Sequence, residues 1–302
     1  MMRAVLGIDA AWTGKNPSGI AVAVEGPNGW NLKGAWPSVA HFVAAAQGAP
    51  APEKPSGGIA PAQDLLAATR DLAGFLPDLV AIDMPMALTP ITARRPSDNA
   101  LSREYGGRWC AAHSPSMDRP GPISDRLREG FAKAGYNLCV EHIATPGLIE
   151  VYPHPALVEL CDETKRLPYK VAKLRSYWPN LTPNQRHTML CGKWSSIGSV
   201  LEPYLAGAEA YCSAFKLSPK QLKAREDMID AIICCICAIR ALDGAARPLA
   251  GDDQSAIWVP AADPVFQSRR LLPKDPYSAR AELRREVWHD NMLDDPYLAA
   301  IV

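Results

Sequence analysis

Asp227 and Asp230 stand three residues apart in the stretch from Lys223 to Arg240 (KAREDMIDAIICCICAIR), and residues at that spacing share one helical face. Ile229, Ile232, Ile233, Ile236 and Ile239, with Ala231 and Ala238, make this helix apolar nearly all round, so it is expected inside the domain, with the acids at its entrance. Carboxylates against a core are costly unless a cation or a hydrogen-bond donor meets them. Two chemistries follow. The pair could hold a metal ion or take part in catalysis. Alternatively, Asp227 is a first-turn residue favoured by the helix dipole and Asp230 bonds an arginine.

Two further acids sit where short apolar strands end. Ala4-Val-Leu-Gly-Ile8 runs into Asp9, and Leu79-Val-Ala-Ile82 runs into Asp83. Both runs have the length and boundaries of buried strands. In open sheets covered by helices, ligands collect at strand ends, which suggests that the two acids share a site. A fourth candidate, Glu150, lies between Ile149 and Val151 in a strand that stops at Pro153; the competing reading has it facing solvent from a half-buried strand. His154, between two prolines, reads best as a polar group at a helix start rather than as a proton carrier or ligand.

The elements that must position these groups follow an α/β order. Strands are expected at residues 3–9, 19–24 and about 29–36, the last two joined by the turn Gly26-Pro-Asn-Gly29, so the chain opens as an antiparallel meander. Short helices are expected over 38–47 and 63–75, then the strand 79–83. From 86 to 146 the chain is irregular, broken by Pro90, Pro96, Pro115, Pro120 and Pro122, with a helix only near 124–134, and is read as an insertion over the site. Its basic residues, Arg94 and Arg95 among them, are individually expected on a solvated surface. A helix over 196–217, a helix starting at Ser218-Pro219, a last strand over 255–259 and a charged helix over 276–292 complete the order.

Residues Lys165 to Lys193 carry seven Lys or Arg and no acid, with Tyr169, Tyr177 and Trp178 interleaved. Cations for phosphates and aromatic faces for unstacked bases suit a single-stranded nucleic-acid track; the same composition also suits an amphipathic helix with a basic outer face. Lys170, Lys173, Arg175 and Tyr169 are the candidate substrate-binding residues. The whole chain has 32 basic and 32 acidic residues, so any such partner must use a local patch.

Of the eight cysteines, Cys234, Cys235 and Cys237 lie within the apolar helix and the others are scattered without a CxxC pair, which argues against a zinc site or a disulfide framework and for free thiols in a reducing cytoplasm. The longest uninterrupted apolar run, Ala231 to Ile239, is too short to span a bilayer, and the N-terminus lacks a signal-peptide pattern.

Taken together, Gly7-Ile-Asp9, Ala81-Ile-Asp83-Met-Pro85, Glu150-Val-Tyr-Pro-His-Pro155, Pro168-Tyr-Lys170, Asp227-Met-Ile-Asp230-Ala231 and Ile257-Trp-Val-Pro260 resemble the DUF429 family, described as predicted RNase H-like nucleases. The resemblance implies an RNase H-like α/β fold. That is a mixed central sheet in the order 3-2-1-4-5, its first three strands an antiparallel meander, with helices on both faces. A single domain would then cover 1–302, with insertions at 86–146 and 163–217 and a C-terminal extension at 261–302. It also implies site roles for Asp9, Asp83, Glu150, Asp227 and Asp230. Hard oxygen ligands suit Mg²⁺ or Mn²⁺, and two ions roughly 4 Å apart serve phosphodiester hydrolysis. On that reading Asp9 bridges the ions, Asp83 and either Asp227 or Asp230 complete them, Glu150 is a further ligand or base, and Lys170 counters phosphate charge. Single-stranded or structured nucleic acid, or a nucleotide, is the expected partner.

The same fold family includes sugar kinases and related ATPases, but only Asp9-Ala-Ala-Trp-Thr-Gly14 stands near a phosphate loop, so ATP-dependent phosphotransfer ranks second. A non-catalytic nucleic-acid or nucleotide-binding module ranks third, with arginines such as Arg225 or Arg240 tying the acids together.

Overall fold

The computed structural model describes residues 2–213 and 217–261. Three strands, β1 (Ala4–Asp9), β2 (Gly19–Gly26) and β3 (Gly29–Trp36), form the opening meander. Helices α1 (Val39–Ala46) and α2 (Ala62–Ala73) lead to β4 (Leu79–Ile82), followed by α3 (Pro96–Tyr105) and α4 (Pro122–Lys133). Strands β5 (Asn137–Leu138) and β6 (Gly147–Val151) precede α5 (Pro153–Leu160). Then come α6 (Leu174–Tyr177), α7 (Pro183–Leu201), α8 (Ala208–Cys212), α9 (Pro219–Leu242), β7 (Ala246–Ala250) and β8 (Ala256–Pro260). These elements belong to one compact unit that ends at Ala261.

The sheet is mixed, in the order β3-β2-β1-β4-β6-β8-β7, with β5 also pairing with β6. Strands β1, β4, β6 and β8 run parallel, while β2, β3 and β7 run antiparallel to their neighbours. Successive side chains of a strand point to opposite faces, and β1 uses this fully: Val5 enters one core while Leu6 and Ile8 enter the other. The first core takes in α5, α7 and α9, and the second takes in α1, α2 and α4. Helices therefore cover both faces.

Helix α9 is the centre of the first core. Ser218 caps it, its hydroxyl accepting from the Gln221 N–H, a standard way of satisfying a first-turn donor. Ile232, Ile233, Cys234, Cys235 and Ile236 are all fully buried. The helix lies so close to the sheet that only glycine fits beneath it. A Cβ on Gly7 would stand 2.2 Å from the Ala231 carbonyl oxygen, and one on Gly19 would stand 2.1 Å from that of Asp227.

Several expectations need correction. The segment 86–146 holds a second helix, α3, because Pro96 occupies its first turn, where a missing N–H costs nothing. The expected helix over 196–217 is instead α7, which begins at Pro183, followed by the short α8. Strand β7 extends the sheet beyond the expected last strand. The expected helix over 276–292, like the extension from residue 262, lies outside the described residues.

Candidate active site

Asp9 ends β1 and Asp83 directly follows β4; the Asp83 N–H donates to the Ile8 carbonyl at 2.8 Å, fixing the two acids at neighbouring strand ends. Helix α9 brings Glu226, Asp227 and Asp230 against them. The helix begins at Pro219, so Asp227 lies in its third turn, and the helix dipole of a first turn does not account for it. Among the described residues no arginine meets Asp230. Its carboxylate accepts from the Tyr169 hydroxyl at 2.7 Å and from the Lys170 ammonium. Arg225 instead donates to the Tyr211 carbonyl, and Arg240 lies over the Tyr204 ring.

Two lysines thus enter a nest of five carboxylates. Lys170 pairs with Asp230 and stands 3.6 Å from Glu226. Lys223 reaches Glu226 at 2.7 Å and Asp227 at 2.5 Å along the helix face. The Val171 N–H also donates to Glu226 at 2.5 Å. Asp9 and Asp83 have no side-chain hydrogen bond among the described residues.

The electrostatics follow from this uneven provision. Burial, then Asp230 and Asp227, push the Asp9 carboxyl well above the ordinary range, with Lys170 only partly opposing them. Burial and Asp230 raise Asp83 to about 8, again against Lys170. Asp227 rises to about 6, burial outweighing Lys223. Burial also works on Glu226, but Lys170, Lys223 and the Val171 N–H together hold it below its usual value. Lys170 stays charged because Asp230, Glu226 and Asp9 overcome its own desolvation.

Glu150 is 4% exposed and does not face solvent. Its Oε1 accepts from Arg95 Nη2 at 2.7 Å, and its Oε2 accepts from Arg95 Nη1 at 2.5 Å and from the Met86 N–H at 2.7 Å. Arg95 also holds both oxygens of Asp98. The expected solvated arginine is therefore a buried clasp between α3 and β6, and Glu150 is occupied by it rather than free to serve as a ligand or base.

Tyr169 is fully buried. The Trp194 indole donates to its carbonyl at 2.9 Å, docking α7 onto the loop, and its ring meets His154 edge-on at 5.3 Å. It forms a wall of the carboxylate nest and is closed to a stacking base. Lys170 is likewise engaged with acids. Of the remaining basic candidates, Lys173 is exposed and lines the cleft, while Arg175 is exposed and does not.

The cleft beside the nest encloses about 300 Å³ and is lined by residues including Trp12, Asp83, His113, Tyr152, His154 and Lys173. Whether Mg²⁺ or Mn²⁺ fits can be judged from charge and donor type. Five carboxylates face two ammonium groups; Glu226, Asp227 and Asp230 share the two lysines, and Asp9 and Asp83 are hard oxygen donors without a partner among the described residues. As arranged, however, no three His, Cys, Asp or Glu groups among the described residues stand together as a metal-binding set, and Asp227, Asp230 and Glu226 carry lysine caps.

Sequence reasoning missed Arg95, Asp98, Lys223 and Glu226. Lys223 was within reach of the (i, i+3) and (i, i+4) rule, since it precedes Glu226 by three residues and Asp227 by four. Arg95 was not, because 55 residues separate it from Glu150.

The chain belongs to the DUF429 family, a protein family of unknown function, whose model matches residues 7–255. No curated protein and no solved structure matches it significantly. Among the described residues, no helix is long and apolar enough to cross a membrane.

Proposed function

We propose that this protein is a metal-dependent nuclease of RNase H-like fold that hydrolyses phosphodiester bonds in a reducing cytoplasm. The observation that carries the reading is the pair Asp9 and Asp83, at adjacent strand ends, unpaired and raised in pKa by the acids of α9. Charge repulsion of this kind is relieved by a proton or by a cation. Asp9 and Asp83 would hold Mg²⁺ or Mn²⁺, and Asp227, the α9 acid whose lysine, Lys223, is 55% exposed, would join them only once that lysine gives way. The ion supplies a Lewis acid that offsets negative charge on the phosphoryl oxygens.

The chain's own groups do the rest. Lys173, at the exposed side of the cleft, attracts the substrate's phosphates, and Lys170 keeps positive charge between Asp230 and the cleft. The Arg95 clasp fixes β6 and the segment after Asp83, so that the strand-end acids keep their spacing. The order β3-β2-β1-β4-β6 agrees with the RNase H-like arrangement.

Calorimetric titration of Mn²⁺ and Mg²⁺ into the protein and into Asp9→Asn, followed by incubation with labelled single-stranded and junction substrates, tests the reading. The expected result is metal binding and metal-dependent cleavage in the parent, both lost in the variant. A parent that binds no metal overturns it.

A second reading has a specific observation behind it. The lysine caps on Asp227, Asp230 and Glu226 are what a non-catalytic nucleic-acid or nucleotide-binding module would show. Ligand binding unaffected by EDTA, without cleavage, would favour it, and ATP hydrolysis or phosphate transfer would instead favour a phosphotransfer enzyme.

A further inference from the structure

The cleft has a second chemical character that the carboxylates do not use. His154 is 5% exposed and lines it, yet its Nδ1 has no hydrogen-bond partner, and the neighbouring Tyr152 hydroxyl is likewise buried and unpartnered. Buried polar atoms left unpaired cost free energy, so such a pair in a cleft wall points to a ligand. The two rings pack edge-on at 5.3 Å, and His154 is held from its other side by Tyr169. The donors are therefore fixed in place.

Charge identifies the ligand's sign. Arg166 and Lys173 line the same cleft, and neither has a carboxylate partner among the described residues. Of the cleft's acids, Asp98 and Glu150 are held by Arg95, and Glu226 by the two lysines, which leaves Asp83 as the one acid without a cation bound to it. Burial together with Lys170, Arg166 and His113 keeps His154 neutral, so one ring nitrogen can donate without adding charge. The start of α5 offers little by itself, because Pro153 and Pro155 remove two of its first N–H groups. Side chains must therefore supply the donors.

We propose that Tyr152, His154, Arg166 and Lys173 form a subsite for the oxyanion of a phosphomonoester, as carried by a mononucleotide or by the end of a strand. Arg166 and Lys173 supply charge, while Tyr152 and His154 supply neutral donors deeper in the wall. The inference rests on the phosphodiester reading only for the class of ligand; binding itself needs no metal.

The test is calorimetry on the full chain in EDTA with four probes: inorganic phosphate, AMP, a 5′-phosphorylated tetrathymidylate and the same tetramer without its phosphate. Saturable binding of the phosphorylated probes is expected, weakened about tenfold or more in Arg166→Gln and in Lys173→Gln, the size of one lost charge-assisted hydrogen bond. Lys173 is exposed, so its variant reports even if Arg166→Gln does not fold. Tighter binding of the phosphorylated tetramer identifies a strand end as the ligand, and tighter binding of AMP a mononucleotide. Equal binding of the two tetramers, no binding of any phosphorylated probe, or full affinity in both variants overturns the proposal. Because EDTA is present throughout, failure of metal-dependent cleavage leaves this result untouched.

Discussion

The backbone of Asp227 rests directly on Gly19: a Cβ at that position would stand 2.1 Å from the Asp227 carbonyl oxygen. Gly7 and Ala231 repeat the contact one strand over, at 2.2 Å. Two glycines on neighbouring strands thus set the height of α9 above the sheet, and with it the distance from Asp227 and Asp230 to Asp9. In Gly19→Ala the helix must lift, at a cost of about 1–3 kcal/mol for overpacking. The variant should remain folded with a lower Tm and bind Mn²⁺ more weakly than the parent, as calorimetry would show. Unchanged metal affinity would mean that helix height does not control the site.

Arg95 is 6% exposed and compensates two buried carboxylates. Removing one partner of such a network leaves uncompensated charge. Arg95→Met should therefore lose about 3–5 kcal/mol in denaturant unfolding. Adding Glu150→Met and Asp98→Leu should restore a large part of that loss, since the charges then leave together; a triple variant no more stable than the single one contradicts the buried-clasp account.

Stability should depend on pH through Asp83. Its folded pKa of about 8 lies above that of an unfolded aspartate, about 4. Between those values the folded chain binds the extra proton, so stability is fully present below about pH 4 and is lost as pH rises toward 8. Asp9 and Asp227, also raised, act in the same direction. In EDTA, the Tm of the parent should fall between pH 5 and pH 8.5 more steeply than that of Asp83→Asn. Parallel curves would show that Asp83 is not strained by its neighbours.

Lys223 competes with any cation for Asp227. Its side chain is 55% exposed, so solvent screens the pair and its worth is about 1 kcal/mol or less. Lys223→Met should tighten Mn²⁺ binding by up to about fivefold, with little change in Tm. Weaker binding in this variant would assign Lys223 a supporting role instead.

The strand-end acids and the buried α9 were legible because local pattern decides them. An apolar run that stops at an acid, and a helix apolar on all sides, leave few alternatives. What joins them was not legible. The Tyr169 and Lys170 bonds to Asp230 span 61 and 60 residues, and composition made the same two residues look like a surface for nucleic acid. Arg95 shared that fate, since a proline-rich segment with mixed charge reads as solvated until α3 is seen docking against β8 and β7. Strand β7 was missed because its sequence, Ala-Arg-Pro-Leu-Ala, buries only Leu249, and an edge strand needs little apolar pattern.

The position of α9 also sets an order of events during synthesis. Cys234 Sγ donates to the Ile8 carbonyl and Cys235 Sγ to that of Ala21, contacts that close over 226 and 214 residues of chain. Until residue 242 has left the ribosome, the apolar face of β1 and β2 has no cover, and pairings over such long separations form slowly. The nascent meander is therefore the segment most in need of a chaperone, and α9, the last long helix among the described residues to emerge, is the one that completes its core.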